Sequence, residues 1–260
     1  METVAAMNPF ELTGRVAIVT GGNGGIGLGM ARGLSQAGAS VVIAGRDKAK
    51  NAKATAELRE AGARAIDVIA DVTRQESCQA LVAAAVQAFG RLDILVNNAG
   101  VGIIRQPQDY TLAEWDTVLA TNLSSAFLCA QAAYPEMLRA GGGKVINIGS
   151  MTSIFGAAFA ASYAASKGGI VQLTKSLAAA WAQDKIQVNA VLPGWIDTDL
   201  TRGARAELPG LHEAVLARTP AGRWGVPDDL AGIAVFLASP ASDFITGAAI
   251  TVDGGYSVQG

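Results

Sequence analysis

Short runs of Val, Ile and Ala, apolar at nearly every position, alternate along the chain with longer Ala- and Leu-rich stretches whose apolar residues recur at helical spacing. Uninterrupted apolar runs suit strands buried on both faces, and their alternation with helical stretches is the pattern of repeated βα units around a parallel sheet. Strands are predicted near Val16–Thr20, Ser40–Ala44, Ala65–Ala70, Ile94–Asn97, Lys144–Ile148, Gln187–Leu192 and Ala249–Val252. Helices are predicted near Ile26–Ala37, Ala49–Ala61, Gln75–Phe89, Leu112–Arg139, Tyr163–Ala182 and Pro227–Leu237. This order predicts an α/β chain: a doubly wound, mainly parallel seven-stranded sheet of Rossmann type with helices on both faces. No composition break, linker or repeat divides the sequence, so residues 1–260 read as a single domain. Periodicity fades only from about Gly194 to Gly225, long for a βα connection and therefore a candidate lid.

Composition narrows the partners. Half of the 260 residues are apolar, enough for one large core. A formal net charge of −2, with the basic residues scattered, gives no electrostatic reason to expect nucleic acid or an anionic membrane. Cys78 and Cys129 lie far apart in Ala-rich helical stretches and read as buried thiols rather than a disulfide framework, which suits a reducing compartment. Met1–Asn8 lacks the features of a signal peptide and no segment approaches a charge-free membrane span, so a soluble, cytoplasmic protein is expected. His212 is the only histidine, which leaves little material for a zinc site or a histidine triad, and no metal is expected.

The chemistry is concentrated in two places. Tyr163 and Lys167 stand four residues apart in a predicted helix and so share one face, with Ser150 thirteen residues upstream. An ammonium beside a phenol favours the phenolate, and a Tyr that exchanges a proton near neutral pH is a general acid/base. Lowering a phenol from about 10 to roughly 7 takes about 4 kcal/mol of preferential phenolate stabilisation. The second place is Thr20-Gly21-Gly22-Asn23-Gly24-Gly25-Ile26-Gly27, which follows the first strand and opens the first helix. Glycines there permit a tight turn and close backbone approach, and the helix N-terminus offers free N–H groups to a pyrophosphate.

With Asn97-Asn98-Ala99-Gly100 after the fourth strand, Asn122 in the next helix and Pro193-Gly194 after the sixth, these motifs stand in one order from about Leu12 to Gly255. In that order the chain resembles the short-chain dehydrogenase/reductase family in its single-domain form. The resemblance implies that Tyr163 passes the proton between substrate oxygen and enzyme, that Lys167 holds the nicotinamide ribose and lowers the Tyr pKa, and that Ser150 bonds the substrate oxygen. It implies that Asn122 holds a water in a proton relay, making Asn122, Ser150, Tyr163 and Lys167 the catalytic set. For the cofactor it implies Gly21, Asn23, Gly25, Ile26 and Gly27 at the pyrophosphate, and Asp71 and Val72 at the adenine. Asn98, Ala99 and Gly100 would line the pocket, and Pro193, Gly194, Ile196 and Thr198 would hold the nicotinamide carboxamide.

The end of the second strand bears on NAD against NADP. Gly45 stands where NAD-preferring relatives tend to carry Asp, and Arg46 follows it, which favours NADP because an Arg accepts a 2′-phosphate. Against this, Asn23 stands where many NADP-preferring members carry a second cation, and Asp47 could pair with Arg46. Trp195, Arg202, Arg205, Leu208, Leu211 and His212 could face the substrate, as could Met151, Ile154, Phe155, Val101, Ile103 and Arg105. The expected activity interconverts a secondary alcohol and a ketone, and the wording Leu192–Thr198 looks more like sugar or gluconate dehydrogenases than 3-oxoacyl thioester reductases. The alternative from another class is a non-catalytic NADP-binding sensor, which retention of both Tyr163 and Lys167 disfavours. The resemblance further implies a homotetramer.

Overall fold

The alternating pattern becomes seven strands: β1 (Val16–Thr20), β2 (Ser40–Gly45), β3 (Ala65–Ile69), β4 (Ile94–Asn97), β5 (Gly143–Ile148), β6 (Ile186–Pro193) and β7 (Ala249–Val252). The computed structural model describes residues 8–259. The strands form one sheet in the order β3-β2-β1-β4-β5-β6-β7, and every pairing is parallel. The helices are α1 (Gly25–Gln36), α2 (Lys48–Glu60), α3 (Gln75–Phe89), α4 (Leu112–Leu119), α5 (Ser125–Arg139), α6 (Ala161–Trp181), α7 (Asp199–Glu207), α8 (Leu211–Arg218) and α9 (Ala231–Ala238). No helix among the described residues is long and apolar enough to cross a membrane.

Successive side chains of a strand point to opposite faces, so a run buried throughout feeds two cores. In β1, Ala17 and Val19 join the layer built with Met30 and Leu34 of α1 and Leu237 of α9. Ile18 joins the opposite layer with Leu81 of α3 and Ala133 of α5. Each fully buried Val, Leu or Ile stabilises the fold by about 1.5–3 kcal/mol relative to exposure. Cys78 and Cys129, distant in sequence, meet in that second layer as free thiols with their sulfurs 3.5 Å apart.

The chain order reverses between β1 and β4, and their carboxyl ends are level, Thr20 lying beside Asn97. Ligands of open α/β sheets bind at such a switch point. Here it brings the Gly-rich turn after β1 against the Asn98–Gly100 turn after β4. Thr20 Oγ1 accepts the N–H groups of Asn98 (3.0 Å) and Ala99 (3.1 Å). Asn98 Nδ2 donates to the carbonyls of Thr20 (3.0 Å) and Gly21 (3.1 Å).

Three predicted elements differ from the structure, one of them slightly: the helix expected over Pro227–Leu237 opens as a 3-10 turn, Pro227–Leu230, before α9. The helix expected over Leu112–Arg139 is broken into α4 and α5 by a π-helical turn, Ala120–Ser124. The stretch expected to be irregular, 194–225, carries α7 and α8.

Candidate active site

Four segments converge above the carboxyl ends of the central strands. Gly21 turns the chain out of β1 with φ +62°, and a Cβ there would lie 2.9 Å from Asn98 Nδ2, so the position requires glycine. The turn leads into α1, whose N-cap Gly24 gives no side-chain hydrogen bond to the helix. The first N–H groups of α1 are thus left for another acceptor, and the helix dipole favours an anion there.

A cleft of about 520 Å³ runs from this turn to the ends of β5 and β6, lined by Gly21, Asn23, Gly25, Ile26, Asn98–Gly100, Ser150, Tyr163, Lys167, Pro193, Gly194, Ile196 and Thr198. Lys50 and Lys53 of α2 line its other end. A second cavity of about 560 Å³, walled by Ile103, Ile104, Met151, Phe155, Phe159 and residues of α7 and α8, shares Ser150, Tyr163, Gly194, Asp199, Leu200 and Thr201 with the first. Ser150 and Tyr163 therefore stand in the wall between two compartments.

The first turns of α6 set the Tyr and the Lys. Lys167 is 4% exposed; its Nζ donates to the Ile148 carbonyl at 2.7 Å and lies 5.5 Å from the Tyr163 ring centroid. Ser153 Oγ donates to the Lys167 carbonyl (2.6 Å), and Ser166 Oγ to that of Tyr163 (2.7 Å). Ser150 caps the short 3-10 turn Met151–Ser153 by accepting the Thr152 N–H at 3.1 Å. Burial pushes the Lys167 ammonium down to about 8. Burial also pushes the Tyr163 phenol up, with the Ser150 side chain pulling it the other way. The depression of Tyr163 expected from Lys167 is thus opposed by desolvation, which penalises the phenolate.

Asn122 lies in the π-helical turn, 2% exposed. Its Oδ1 accepts the Val101 N–H (2.8 Å), while Nδ2 donates to the Val101 carbonyl (2.9 Å) and to Ser166 Oγ (3.1 Å). It clamps the β4 turn to α6, and the extra residue of the π turn aims it there.

The chain also resembles known proteins along its whole length. A family model described as enoyl-(acyl carrier protein) reductase matches residues 21–257. The 2-dehydro-3-deoxy-D-gluconate 5-dehydrogenase of Escherichia coli K12 is 42% identical over 96% of this chain and 98% of its own. The chain belongs to the short-chain dehydrogenase/reductase family. The galactitol 2-dehydrogenase (L-tagatose-forming) of Cereibacter sphaeroides is 41% identical over 95% or more of both sequences, at 96% and 97%. A gluconate 5-dehydrogenase from Burkholderia cenocepacia J2315, solved in complex with NADP and tartrate, superposes with a TM-score of 0.93 at 39% identity, covering 98% of this chain and 100% of that one. The protein is an NAD(P)-dependent oxidoreductase that acts on CH–OH groups.

Within this short-chain dehydrogenase, some residues singled out in the sequence stand apart from the two cavities. Gly27 is buried under the turn, where a Cβ would lie 2.4 Å from Asn98 Nδ2. Arg46 is exposed beyond the cleft lining, and Asp47 caps α2 through the N–H groups of Ala49 and Lys50 rather than pairing with it. Asp71 accepts the N–H (3.1 Å) and hydroxyl (2.7 Å) of Thr73, which hold its carboxyl below the usual range. Val72 packs in the core. Of the candidate substrate contacts, Ile103, Met151, Phe155, Trp195 and Leu211 line the second cavity. Arg202 and Arg205 instead pair with Asp197, Arg105 pairs with Glu114, and His212 stacks on Trp224, none of them in the cavity wall. Sequence reasoning missed Arg218 and Tyr256 in that wall and Lys50 and Lys53 in the cleft. For the lysines a signal was present, two cations at i and i+3 just after the Arg46 turn; for Arg218 and Tyr256 none was.

Proposed function

We propose that this dehydrogenase interconverts a sugar acid and its keto form with NADP as the preferred cofactor. The observation that carries the reading is the shared wall: Ser150 and Tyr163 face both a cleft fitted to a dinucleotide and a separate chamber for a small substrate. The cleft fits the cofactor because the N-terminus of α1 has no side-chain cap and the glycines before it leave room for a pyrophosphate. When bound, the nicotinamide supplies or accepts the hydride.

This chain's own residues handle the proton. In reduction Tyr163 donates its phenolic proton to the carbonyl oxygen, and in oxidation the phenolate takes it back. Ser150 donates a hydrogen bond to the same oxygen and stabilises the charge that develops on it. Lys167 Nζ spends one donor on Ile148 and keeps two for the ribose hydroxyls. Asn122 holds the wall beside Lys167 and positions a water that returns protons to Lys167. The stretch 194–225, anchored by the pairing of Asp197 with Arg202 and Arg205, serves as the lid that closes the chamber over substrate.

Three features support NADP. A Cβ at Gly45 would lie 2.5 Å from Asn23 Nδ2 and 2.7 Å from Asn51 Oδ1, so the carboxylate that binds NAD hydroxyls is absent from the strand end and two Asn side chains fill its place. Neither Arg46 nor Lys53, which lines the cleft, has an ion-pair partner among the described residues. The NADP in the Burkholderia structure is in keeping with this. We read the protein further as a cytoplasmic homotetramer, supported by free thiols and by Leu112 and Phe127, 74% and 44% exposed on α4 and α5.

The apolar wall of Ile103, Ile104, Met151 and Phe159 supports a second reading, a 3-oxoacyl thioester reductase. The test follows nicotinamide absorbance against keto-aldonates, ketoses and 3-oxoacyl thioesters, with NADPH and NADH in parallel. The proposal predicts keto-aldonate turnover with NADPH at the highest kcat/KM. Turnover of thioesters alone establishes the second reading, and tight NADPH binding without turnover of any class overturns both, leaving a substrate outside the panel or a sensor.

A further inference from the structure

We propose that Arg218 binds the carboxylate of the substrate and so sets the preference of this enzyme for acids over neutral polyols; the assignment rests on the sugar-acid reading above. Arg218 is the last residue of α8 and lines the substrate chamber with Ser150 and Tyr163. Its guanidinium carbon lies 5.0 Å from the ring centroid of Phe155 and 4.4 Å from that of Tyr256. The two rings come from separate parts of the chain, the turn after Ser150 and the segment after β7. Both also line the chamber.

A guanidinium is planar and all five of its N–H bonds lie in that plane. Aromatic faces attract a cation without taking up its N–H groups as a carboxylate or carbonyl oxygen would. Packing beside two rings therefore fixes the group while leaving its fork available, and the fork matches a carboxylate bidentately.

The neighbouring cations are already engaged. Arg202 and Arg205 pair with Asp197, and Arg223 pairs with Asp229. Arg218 has neither an ion-pair partner nor a side-chain hydrogen bond among the described residues. Among the described residues it is the single cation in the chamber wall, where the other charged residues are Asp199 and Glu207. Asp199 is answered by Arg202 at 3.5 Å and Lys50 at 3.7 Å, and Glu207 lies exposed at the end of α7 without reaching Arg218. The rest of the wall is largely apolar, so a substrate carboxylate has one group with which to pair, and a neutral hexitol gains nothing comparable from it.

The test measures kcat and KM for an aldonate and for the hexitol of the same carbon number in wild type, Arg218→Met and Arg218→Lys. Met keeps an unbranched stem against Phe155 and Tyr256 and removes the charge; Lys keeps the charge without the fork. Losing a hydrogen-bonded charge pair is worth about 10- to 100-fold. The expected result is a fall of that size in the aldonate-to-hexitol ratio of kcat/KM for Arg218→Met, carried by KM, with partial recovery in Arg218→Lys. A purely structural role would lower both substrates together and leave the ratio unmoved, which overturns the assignment while the sugar-acid reading stands. Wild-type enzyme that turns over no aldonate overturns the sugar-acid reading, and the assignment with it, before any variant is made.

Discussion

At the scale of single residues, the site works by placing two groups of opposite proton preference in one buried wall. Burial penalises both charged forms, so the Lys167 ammonium is brought down to about 8 while the Tyr163 phenol is pushed up. The proposed reduction needs a protonated Tyr163 and a charged Lys167. Tyr163 keeps its proton through neutral pH, so Lys167 sets the limit: its charge is complete well below about 8 and is lost as the pH rises through that value. The free-enzyme profile of kcat/KM for reduction should therefore be level on the acid side of about 8 and fall on the alkaline side. Lys167→Arg, charged throughout, should remove that limb even if the plateau is lower; a limb unmoved in this variant assigns it to another group. That Ser150, Tyr163 and Lys167 would meet in one cleft was legible in the sequence, because Tyr163 and Lys167 lie one helical turn apart and Ser150 follows the end of the preceding strand. Arg218 was not, because its meaning comes from Phe155 and Tyr256, which only the fold brings to it.

At the scale of elements, the strands were the most readable part. A parallel strand buried on both faces must be apolar throughout, and the expected bounds of all seven lie within a residue of those observed. Helices were readable where they bury a stripe. α7 buries no residue and α8 only Val215, and at nine and eight residues each is too short for an apolar stripe to repeat, so the stretch 194–225 read as irregular. The break between α4 and α5 was hidden for the opposite reason, since apolar residues continue through the π turn. That turn has a mechanical role: it puts Asn122 where one side chain satisfies both backbone groups of Val101 and the Ser166 hydroxyl. Asn122→Ala leaves those groups short of partners in a buried place, at about 1–3 kcal/mol for each that stays unsatisfied. A lowered denaturation midpoint together with a large loss of kcat is expected. Full activity at wild-type stability would remove Asn122 from both roles.

At the scale of the whole molecule, topology does what no local segment can. The reversal of strand order between β1 and β4 opens a crevice at the carboxyl ends of the sheet, and the turns after β1, β4, β5 and β6 all empty into it. The two chambers then share one wall, and the residues of the Tyr-Lys helix form part of it. Similarity to dehydrogenases over nearly the full length of both chains fits this, since the cofactor cleft and the substrate chamber draw on segments from Gly21 to Tyr256. At that wall we place on Tyr163 the proton transfer of the redox reaction. It is tested most directly by comparing wild type with Tyr163→Phe in NADPH-dependent reduction of a keto-aldonate, with NADPH affinity measured on the same samples by fluorescence. The expected result is a loss of kcat of at least about a hundredfold with NADPH affinity within a few-fold of wild type. A Phe variant that turns over at the wild-type rate would contradict it.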